Sequence, residues 1–297
     1  MIPGTMSSPS MTDGHLADGN RVSNAIVQPE PTPPTLSAPS ATGSSEEEYD
    51  TSNPRRGMAI ILHHENFRLM SKRTGSSRDC SAAVTVLTNM QFDVRVYEDL
   101  PFAQLCDVLS DLASEDHSDA DCLLVMIMTH GDDDVLYAFD RPYEVDVLFK
   151  HFMGDSCPTL LGKPKLFFVQ ACRGTAFDKG VQLGCGVVDK DCFSSNKYVI
   201  PTTADLLVMY SSYQGHVSWR NPVGGSWFIQ ALCAELELSW RHMELLQLLT
   251  AVSRRVAYDY QSHVPQSGSM DAMKQMPSIV SMLTKLVYFP VKKQMQQ

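Results

Sequence analysis

The sequence lacks several features that would assign it to particular classes of protein. Its cysteines form no CxxC pair and show no other metal-ligand spacing, so neither a disulfide framework nor a zinc site is predicted. No apolar run approaches the roughly 20 residues of a membrane span, and the first residues lack the apolar stretch of a secretory signal. We therefore expect a protein of the cytoplasm that uses no metal or other cofactor. The eight cysteines are Cys80, Cys106, Cys122, Cys157, Cys172, Cys185, Cys192 and Cys233.

The sequence also has few positively charged residues relative to its acidic ones. The 24 lysines and arginines are outnumbered by 34 acidic residues, which gives a net charge of −10. Nucleic acid and anionic membranes attract basic surfaces, so this balance argues against both as partners. Any arginine that matters for function is expected to act locally.

The N-terminal segment has no aromatic residue in its first 45 positions and is rich in Pro, Ser, Thr and Gly. So little apolar surface cannot offset the entropy lost when a chain becomes ordered. We predict a disordered segment over residues 1–50, which closes with the acidic run EEEYD.

From Gly57 onward, apolar runs alternate with helical patterns. Strands that are apolar on both faces and alternate with helices are typical of a mainly parallel sheet covered on two sides. The sequence therefore predicts a single α/β domain. The predicted strands are GMAIILHHE, FDVRVYE, DCLLVMIMTHG, KPKLFFVQAC, LLVMYSS and one or two within SIVSMLTKLVYF; the predicted helices are Asp79–Met90, Pro101–Ser114, PYEVDVLFKHF, Gly225–Leu238 and Arg241–Tyr258.

One long segment interrupts this alternation. Residues 175–199 are rich in glycine, serine and asparagine and show no strand or helix pattern. A stretch of this length inside a compact domain is usually a functional loop or a linker.

Two predicted strands end in residues suited to nucleophilic chemistry. One ends in His130 and Gly131, the other in Gln170 and Cys172. Taken alone, such a histidine is more often a locally satisfied side chain, and such a cysteine a packing residue. The carboxyl ends of parallel strands meet at one edge of a sheet, however, and an imidazole beside a thiol both removes its proton and stabilises the thiolate. The N–H groups of Gly131 and Cys172 would form an oxyanion hole.

The sequence QACRG, residues 170–174, is the signature of the caspase family, in which a histidine lies about 50 residues upstream. His130 precedes Cys172 by 42 positions. The chain resembles a short-prodomain, effector-type caspase of an invertebrate kind over most of residues 55–290. The matching stretches are GMAIILHHE, SKRTGSSRD, EDHSDADCLLVMIMTHG, GKPKLFFVQACRGT, SWRN, GSWFIQALC and SMLTKLVYF.

This resemblance implies a six-stranded sheet and a cysteine endopeptidase that cleaves after aspartate, is made as a zymogen and executes apoptosis. It makes Cys172 the nucleophile, His130 the acid and base, and Gly131 with Cys172 the oxyanion donors. The group that orients the histidine in caspases is a backbone carbonyl, which falls near Ser71 here.

Substrate aspartate requires a pocket that holds a compact carboxylate, which guanidinium groups and an amide do well. Arg73, Gln170 and Arg220 match these positions of the family. An isolated arginine would ordinarily be a solvated charge, and a tryptophan a core residue. The full set of substrate-binding positions implied by the resemblance is Arg73, Gln170, Ser218, Trp219, Arg220, Asn221 and Trp227.

Two loops depart from the family pattern. Where many effector caspases have a tyrosine pair just before SWR, this chain has Gln214, Gly215, His216 and Val217, so the second substrate pocket loses aromatic wall. The later loop, 261–276, has no aromatic residue, which leaves open the preference at the fourth substrate position.

These departures keep an alternative from another class open: a catalytically poor homologue that regulates an active relative by dimerising with it. A relative cleaving after arginine or lysine ranks last, because its pocket would need acids where this chain has arginines.

Processing is predicted at two aspartates. Cleavage after Asp50 would remove the prodomain 1–50, and cleavage after Asp191 would separate a large chain, 51–191, from a small chain, 192–297. Asp178 and Asp189 are the other linker aspartates, but each precedes a lysine. The expected partners are protein substrates with exposed aspartate-containing loops, a second large and small chain pair, an initiator protease and inhibitor proteins.

Overall fold

Six strands form the central sheet of the computed structural model, which describes residues 47–179 and 203–292. Five of the strands run parallel, and the last pairs antiparallel at one edge. In spatial order they are β11 (Ser278–Ser281), β8 (Leu206–Tyr210), β7 (Lys165–Gln170), β3 (Ala120–Met128), β1 (Arg55–His63) and β2 (Asp93–Glu98). The prediction of a mainly parallel, six-stranded sheet is confirmed.

Helices cover both faces of the sheet, as predicted. One apolar core lies under α1 (Ser76–Asn89), α3 (Trp227–Ser239) and α4 (Leu245–Asp259), and the other lies under α2 (Phe102–Ser114) and a series of 3-10 turns. The inner strands β3 and β7 are buried along their whole length, because helices exclude water from both of their faces. No helix in the described ranges is long and apolar enough to cross a membrane.

Small strands lie beyond the sheet, near the carboxyl ends of its strands. A three-stranded ribbon follows β3, and a two-stranded hairpin precedes α3. The ribbon is β4 (Gly131–Asp132), β5 (Val135–Tyr137) and β6 (Pro142–Glu144); the hairpin is β9 (Arg220–Asn221) and β10 (Gly225–Ser226).

The prediction of a helix for PYEVDVLFKHF is wrong. Its first residues form β6, and the rest forms 3-10 turns at Val145–Leu148 and Lys150–Phe152. Val145 donates its backbone N–H to Asp134 of the preceding ribbon at 3.1 Å, and Leu148 and Phe152 insert into the core. Tertiary contacts thus override a pattern whose three-to-four-residue spacing suits an α-helix.

Helix α4 and the last strand are among the elements that are shorter than predicted. Helix α4 begins at Leu245 rather than Arg241, where the side chain of Glu244 accepts the backbone N–H of Gln247 at 3.2 Å. Within SIVSMLTKLVYF only Ser278–Ser281 forms a strand. Leu286 instead makes an isolated bridge with Glu48.

That bridge corrects the expectation of disorder at the end of the N-terminal segment. Residues 1–46 lie outside the described ranges, but Tyr49 is buried and its hydroxyl donates to Asp205 at 2.7 Å. Tyr49 also donates its backbone N–H to the Leu286 carbonyl at 3.0 Å. Its aromatic ring supplies the apolar area that the preceding 45 residues lack.

Candidate active site

The candidate site lies where strands β3 and β7 end. Met128 and Gln170 are paired in the sheet, and the N–H of Thr129 donates to the carbonyl of Gln170 at 3.0 Å. His130 and Cys172 each follow this paired end by two residues, so the sheet register brings them to one cavity of about 360 Å³. Its lining comprises Arg73, Thr129, His130, Gln170, Ala171, Cys172, Phe177, Val217, Ser218, Trp219, Arg220 and Met270.

The imidazole of His130 is held by a backbone carbonyl. Nε2 lies 2.8 Å from the oxygen of Ser71, and because a carbonyl only accepts, Nε2 carries the proton. Nδ1 is then free to act as a base. Burial lowers the pKa of His130 below its ordinary value, and the charges of Arg73 and Arg220 lower it further against the opposing bond to Ser71.

The thiol of Cys172 is half-buried and engaged with Ser218. Sγ accepts the backbone N–H of Ser218 at 3.4 Å and lies 3.8 Å from its carbonyl oxygen. Within the described ranges, no hydrogen bond joins the thiol to His130. The two groups line the same cavity.

Gly131 lies close enough to Cys172 to require the absence of a side chain. A Cβ atom at this position would be 2.5 Å from the carbonyl oxygen of Cys172 and 2.9 Å from the Cβ of Ala171. The backbone of the ribbon therefore approaches the backbone of Cys172 directly, which is the arrangement that two neighbouring N–H donors need.

Three polar side chains predicted to bind aspartate come together in the cavity. Arg73 is buried and donates through Nη1 to the His64 carbonyl at 2.9 Å, while Nε of Arg220 donates to the Thr74 carbonyl at 3.1 Å. The Nε2 of Gln170 donates to the Ser218 hydroxyl at 2.8 Å, and its buried Oε1 has no partner among the described residues. Both arginines leave guanidinium N–H groups for a ligand.

Aromatic rings stack beside this pocket. Trp219 stacks on Trp227 with ring centroids 5.7 Å apart, and Trp227 stacks on Tyr260 at 5.5 Å. Phe177 adds a fourth ring, 5.7 Å from Trp219. Sequence reasoning identified the two tryptophans but missed Phe177 and Tyr260. Tyr260 lies directly before the loop 261–276 that lacks aromatic residues, and this position could have indicated that it contributes to the wall.

Two predicted substrate-binding residues lie apart from the cavity lining. Trp227 is buried behind Trp219. Asn221 is exposed, and its Oδ1 accepts the N–H groups of Val223 and Gly224 at 2.8 and 2.9 Å. In this structure Trp227 supports the wall, and Asn221 shapes the turn that follows Arg220.

Comparison with known proteins decides the family. The caspase domain model matches residues 56–288. The chain belongs to the caspase family. It is an aspartate-specific cysteine endopeptidase of apoptosis, and as a caspase it acts on protein substrates and assembles as a dimer of large and small chain pairs.

Similar proteins include effector caspases of insects and mammals. The chain is 42% identical to Caspase drICE of Drosophila melanogaster over 82% of this chain and 72% of that protein. It is 38% identical to Caspase-3 of Bos taurus over 83% and 89%. The crystal structure of caspase-1 from Spodoptera frugiperda matches with a TM-score of 0.78 at 42% identity and covers 84% of this chain and 96% of that one.

The two predicted processing sites of this caspase differ in what the structure describes. Asp50 is exposed, and its carboxylate accepts the backbone N–H and hydroxyl of Ser52 at 2.9 and 2.6 Å. Asp191 lies outside the described residues, as does Asp189. Asp178 is described, and its carbonyl accepts the N–H of Lys274 at 2.8 Å.

Proposed function

We propose that Cys172 is the nucleophile of this endopeptidase and His130 its general base and acid. Nδ1 of His130 takes the thiol proton, and the thiolate attacks the scissile carbonyl to form an acyl-enzyme. The same proton then passes to the departing amine, and water releases the acid product. The N–H groups of Gly131 and Cys172 stabilise the oxyanion. The shared cavity and the tautomer imposed by Ser71 support these roles.

We assign recognition of the substrate aspartate to Arg73, Gln170 and Arg220. Two guanidinium groups and one amide supply directional donors to a carboxylate, and burial strengthens each interaction.

Ser218 and Arg220 are proposed to hydrogen-bond the peptide backbone. Trp219, supported by Trp227 and flanked by Asn221, forms the wall for the upstream residues. Val217 lines the cavity without an aromatic ring, so this part of the pocket accepts larger side chains.

One observation carries the proposal. The cavity contains the thiol and imidazole together with two arginines and the amide of Gln170, so the reacting groups and the specificity groups lie at one place. A substrate carboxylate held by the arginines would present the next peptide bond to Cys172.

We further propose that the uncut chain is a zymogen. Arg73 and Cys172 precede the linker while Trp219 and Arg220 follow it, so the pocket is assembled from both sides of the segment to be cut. The bond between Cys172 and Ser218 is consistent with an uncut chain whose nucleophile is not yet free. Asp50 and Asp191 remain the proposed cleavage sites, and they divide the chain into 1–50, 51–191 and 192–297.

The remaining partners are proposals as well. Two copies of the protein are proposed to pair through the exposed face of β11. An initiator protease is proposed to cut the linker, and inhibitor proteins are proposed to block the cavity. Action in the cytoplasm is supported by six cysteines that are unpaired among the described residues.

The test is hydrolysis of fluorogenic tetrapeptides that end in aspartate, asparagine or arginine by the purified, activated protein. We expect cleavage after aspartate alone and no turnover by Cys172→Ala. Titration with an irreversible thiol-directed peptide inhibitor counts the competent sites. Full inhibitor labelling of a correctly processed protein that cleaves none of the peptides would favour the catalytically poor regulator; hydrolysis by Cys172→Ala would contradict the role of the thiol.

A further inference from the structure

A buried carboxylate lies behind the proposed pocket and has no place in the chemistry described above. Asp79 lies in the first turn of α1 and has no exposed surface. An isolated buried charge is costly, so it persists only with partners. Asp79 accepts the N–H of Ser226 at 2.9 and 3.0 Å through its two oxygens and the Nε2 of Gln230 at 2.8 Å.

Both partners come from the other side of the linker. Ser226 belongs to β10 and Gln230 to α3, whereas Asp79 belongs to the N-terminal half of the chain. After cleavage within 180–202, the carboxylate and its donors would lie on different chains. Asp79 therefore joins the two parts of the enzyme at a buried point.

This point is directly connected to Arg220. Ser226 is the paired residue of Arg220 in the β9–β10 hairpin, so the strand that Asp79 holds is the strand against which Arg220 is aligned. The contact is close: Gly225 has a φ of 91°, and a Cβ atom there would lie 2.3 Å from Oδ1 of Asp79. The hairpin is thus seated on α1 through its backbone.

Asp79 also interacts electrostatically with both arginines of the pocket. Burial, followed by the charge of Arg220, holds the pKa of Arg73 below its ordinary value, and burial lowers the pKa of Arg220. At both arginines, Asp79 is the negative charge that most strongly opposes the lowering of the pKa. The next carboxylate, Glu65, is already paired with Lys72 at 3.3 Å.

We propose that Asp79 is a positioning residue for recognition of the substrate aspartate. It seats the hairpin that carries Arg220 on α1 and offsets the repulsion between Arg73 and Arg220, so that both guanidiniums face one ligand. With a substrate carboxylate bound, two positive charges meet two negative ones. This inference rests on the proposed pocket and adds to it the residue that aligns its two halves.

The test compares Asp79→Asn, Asp79→Ala and the parent as full chains after proteolytic activation. Asn keeps an acceptor for Ser226 but removes the charge, and Ala removes both. We expect KM for aspartate-ending peptides to rise about tenfold in Ala, the scale of a lost hydrogen bond to a charged group, and by a smaller factor in Asn. The kcat should change less than KM in both variants.

Controls separate positioning from a general structural effect. Alkylation of Cys172 by chloroacetamide, which carries no charge, should proceed at the parent rate in both variants, because Asp79 does not hold the thiol or His130. Asp111→Ala, at an exposed site on α2, should match the parent in KM, kcat and Tm.

Four results would count against the positioning role of Asp79 or against the pocket itself. Unchanged KM in both variants overturns the inference, and so does a fall in KM for Asn, which would mean that the carboxylate merely weakens the attraction for substrate. Equal losses of kcat, alkylation rate and Tm would reduce Asp79 to a core residue. If Ala fails to fold, Asn decides by its KM. Failure of the parent to cleave would instead overturn the proposed function.

Discussion

Nε2 of His130 donates its hydrogen to the carbonyl oxygen of Ser71 at 2.8 Å, across 59 positions of sequence. This bond fixes the tautomer in which Nδ1 has a free lone pair. A backbone carbonyl thereby orients the ring. Burial and the charges of Arg73 and Arg220 lower the pKa of His130 against the opposing effect of this bond, so the histidine stays neutral at lower pH than an ordinary histidine.

The acid limb of kcat/KM should have its midpoint below pH 6.5. Burial lowers the pKa of His130, with Arg73 and Arg220 acting in the same direction, so the neutral base persists as pH falls through the ordinary histidine range. Activity is lost only once pH falls through the lowered pKa. Initial rates on an aspartate-ending peptide test this, with chloroacetamide alkylation of Cys172 as a check that is free of substrate ionisation. A midpoint above 6.5 in both assays would contradict it.

Arg220→Lys should lower kcat/KM by at least about tenfold, because the positive charge remains but the planar guanidinium is lost. The lysine also cannot reproduce the Nε bond to the Thr74 carbonyl together with a contact to the ligand. Steady-state kinetics on aspartate-ending peptides measures the loss. The matched control is Arg254→Lys, at an exposed position on α4, which should leave kcat/KM unchanged. Equal activity of Arg220→Lys and the parent would remove Arg220 from the pocket.

Release of the prodomain after Asp50 should be limited by Tyr49. Tyr49 is buried, and its hydroxyl donates to Asp205 at 2.7 Å and accepts the N–H of Thr284 at 2.9 Å, so the residue beside the bond must leave the core before a protease can bind. Tyr49→Phe loses these bonds and should be cut about fivefold faster, since proteolysis follows the population of the open form.

Time courses of cleavage, with N-terminal sequencing for a start at Thr51, measure this effect. Synthetic peptides of residues 46–53 with Tyr or Phe correct for any change in recognition by the protease. Tyr258→Phe, at a 69% exposed site, is the matched control. A start at another residue would refute cleavage after Asp50, and equal rates for Tyr49→Phe and the parent would refute the protection by Tyr49.

Linker cleavage should occur after Asp191 and should switch on activity. Asp178 is a poor alternative, because its carbonyl is bonded to Lys274 in a short antiparallel bridge, and a peptide must be extended and unpaired to enter a protease. Intact-mass analysis of the activated protein should give a small chain that begins at Cys192. Asp191→Ala should slow activation, with Asp178→Ala as the control that does not.

The combined Asp178→Ala, Asp189→Ala and Asp191→Ala variant should remain inactive after exposure to an activating protease. Full activity of this uncut chain would show that cleavage is not the switch. A small chain that begins at Lys190 would instead move the site to Asp189.

Much of this protein could be predicted from the sequence because the relevant patterns are local. Apolar runs such as KLFFVQ mark strands buried on both faces, and the order of strands and helices favours a parallel sheet. The carboxyl ends of parallel strands meet at one edge of the sheet, so the sequence alone predicts that His130 and Cys172 lie together. The signature around Cys172 then indicated the family and the kind of chemistry.

Other features depend on residues that meet only in the folded chain. The run PYEVDVLFKHF has spacing that fits a helix, but the ribbon and core beside Val145 and Phe152 impose 3-10 turns. Tyr49 follows a segment with the composition of a disordered chain, yet it is buried because Asp205 and Thr284 present polar partners above an apolar site.

The sequence by itself determined the strands of the sheet, because apolar runs encode them, and its resemblance to a family predicted the site residues. The expected carbonyl near Ser71 does hold the imidazole. Only the tertiary structure decided that Phe177 and Tyr260 extend the aromatic wall and that Asp79 joins the hairpin of Arg220 to α1. These are contacts between segments far apart in the chain. A buried carboxylate selects its partners by distance and desolvation, and neither quantity exists until the chain has folded.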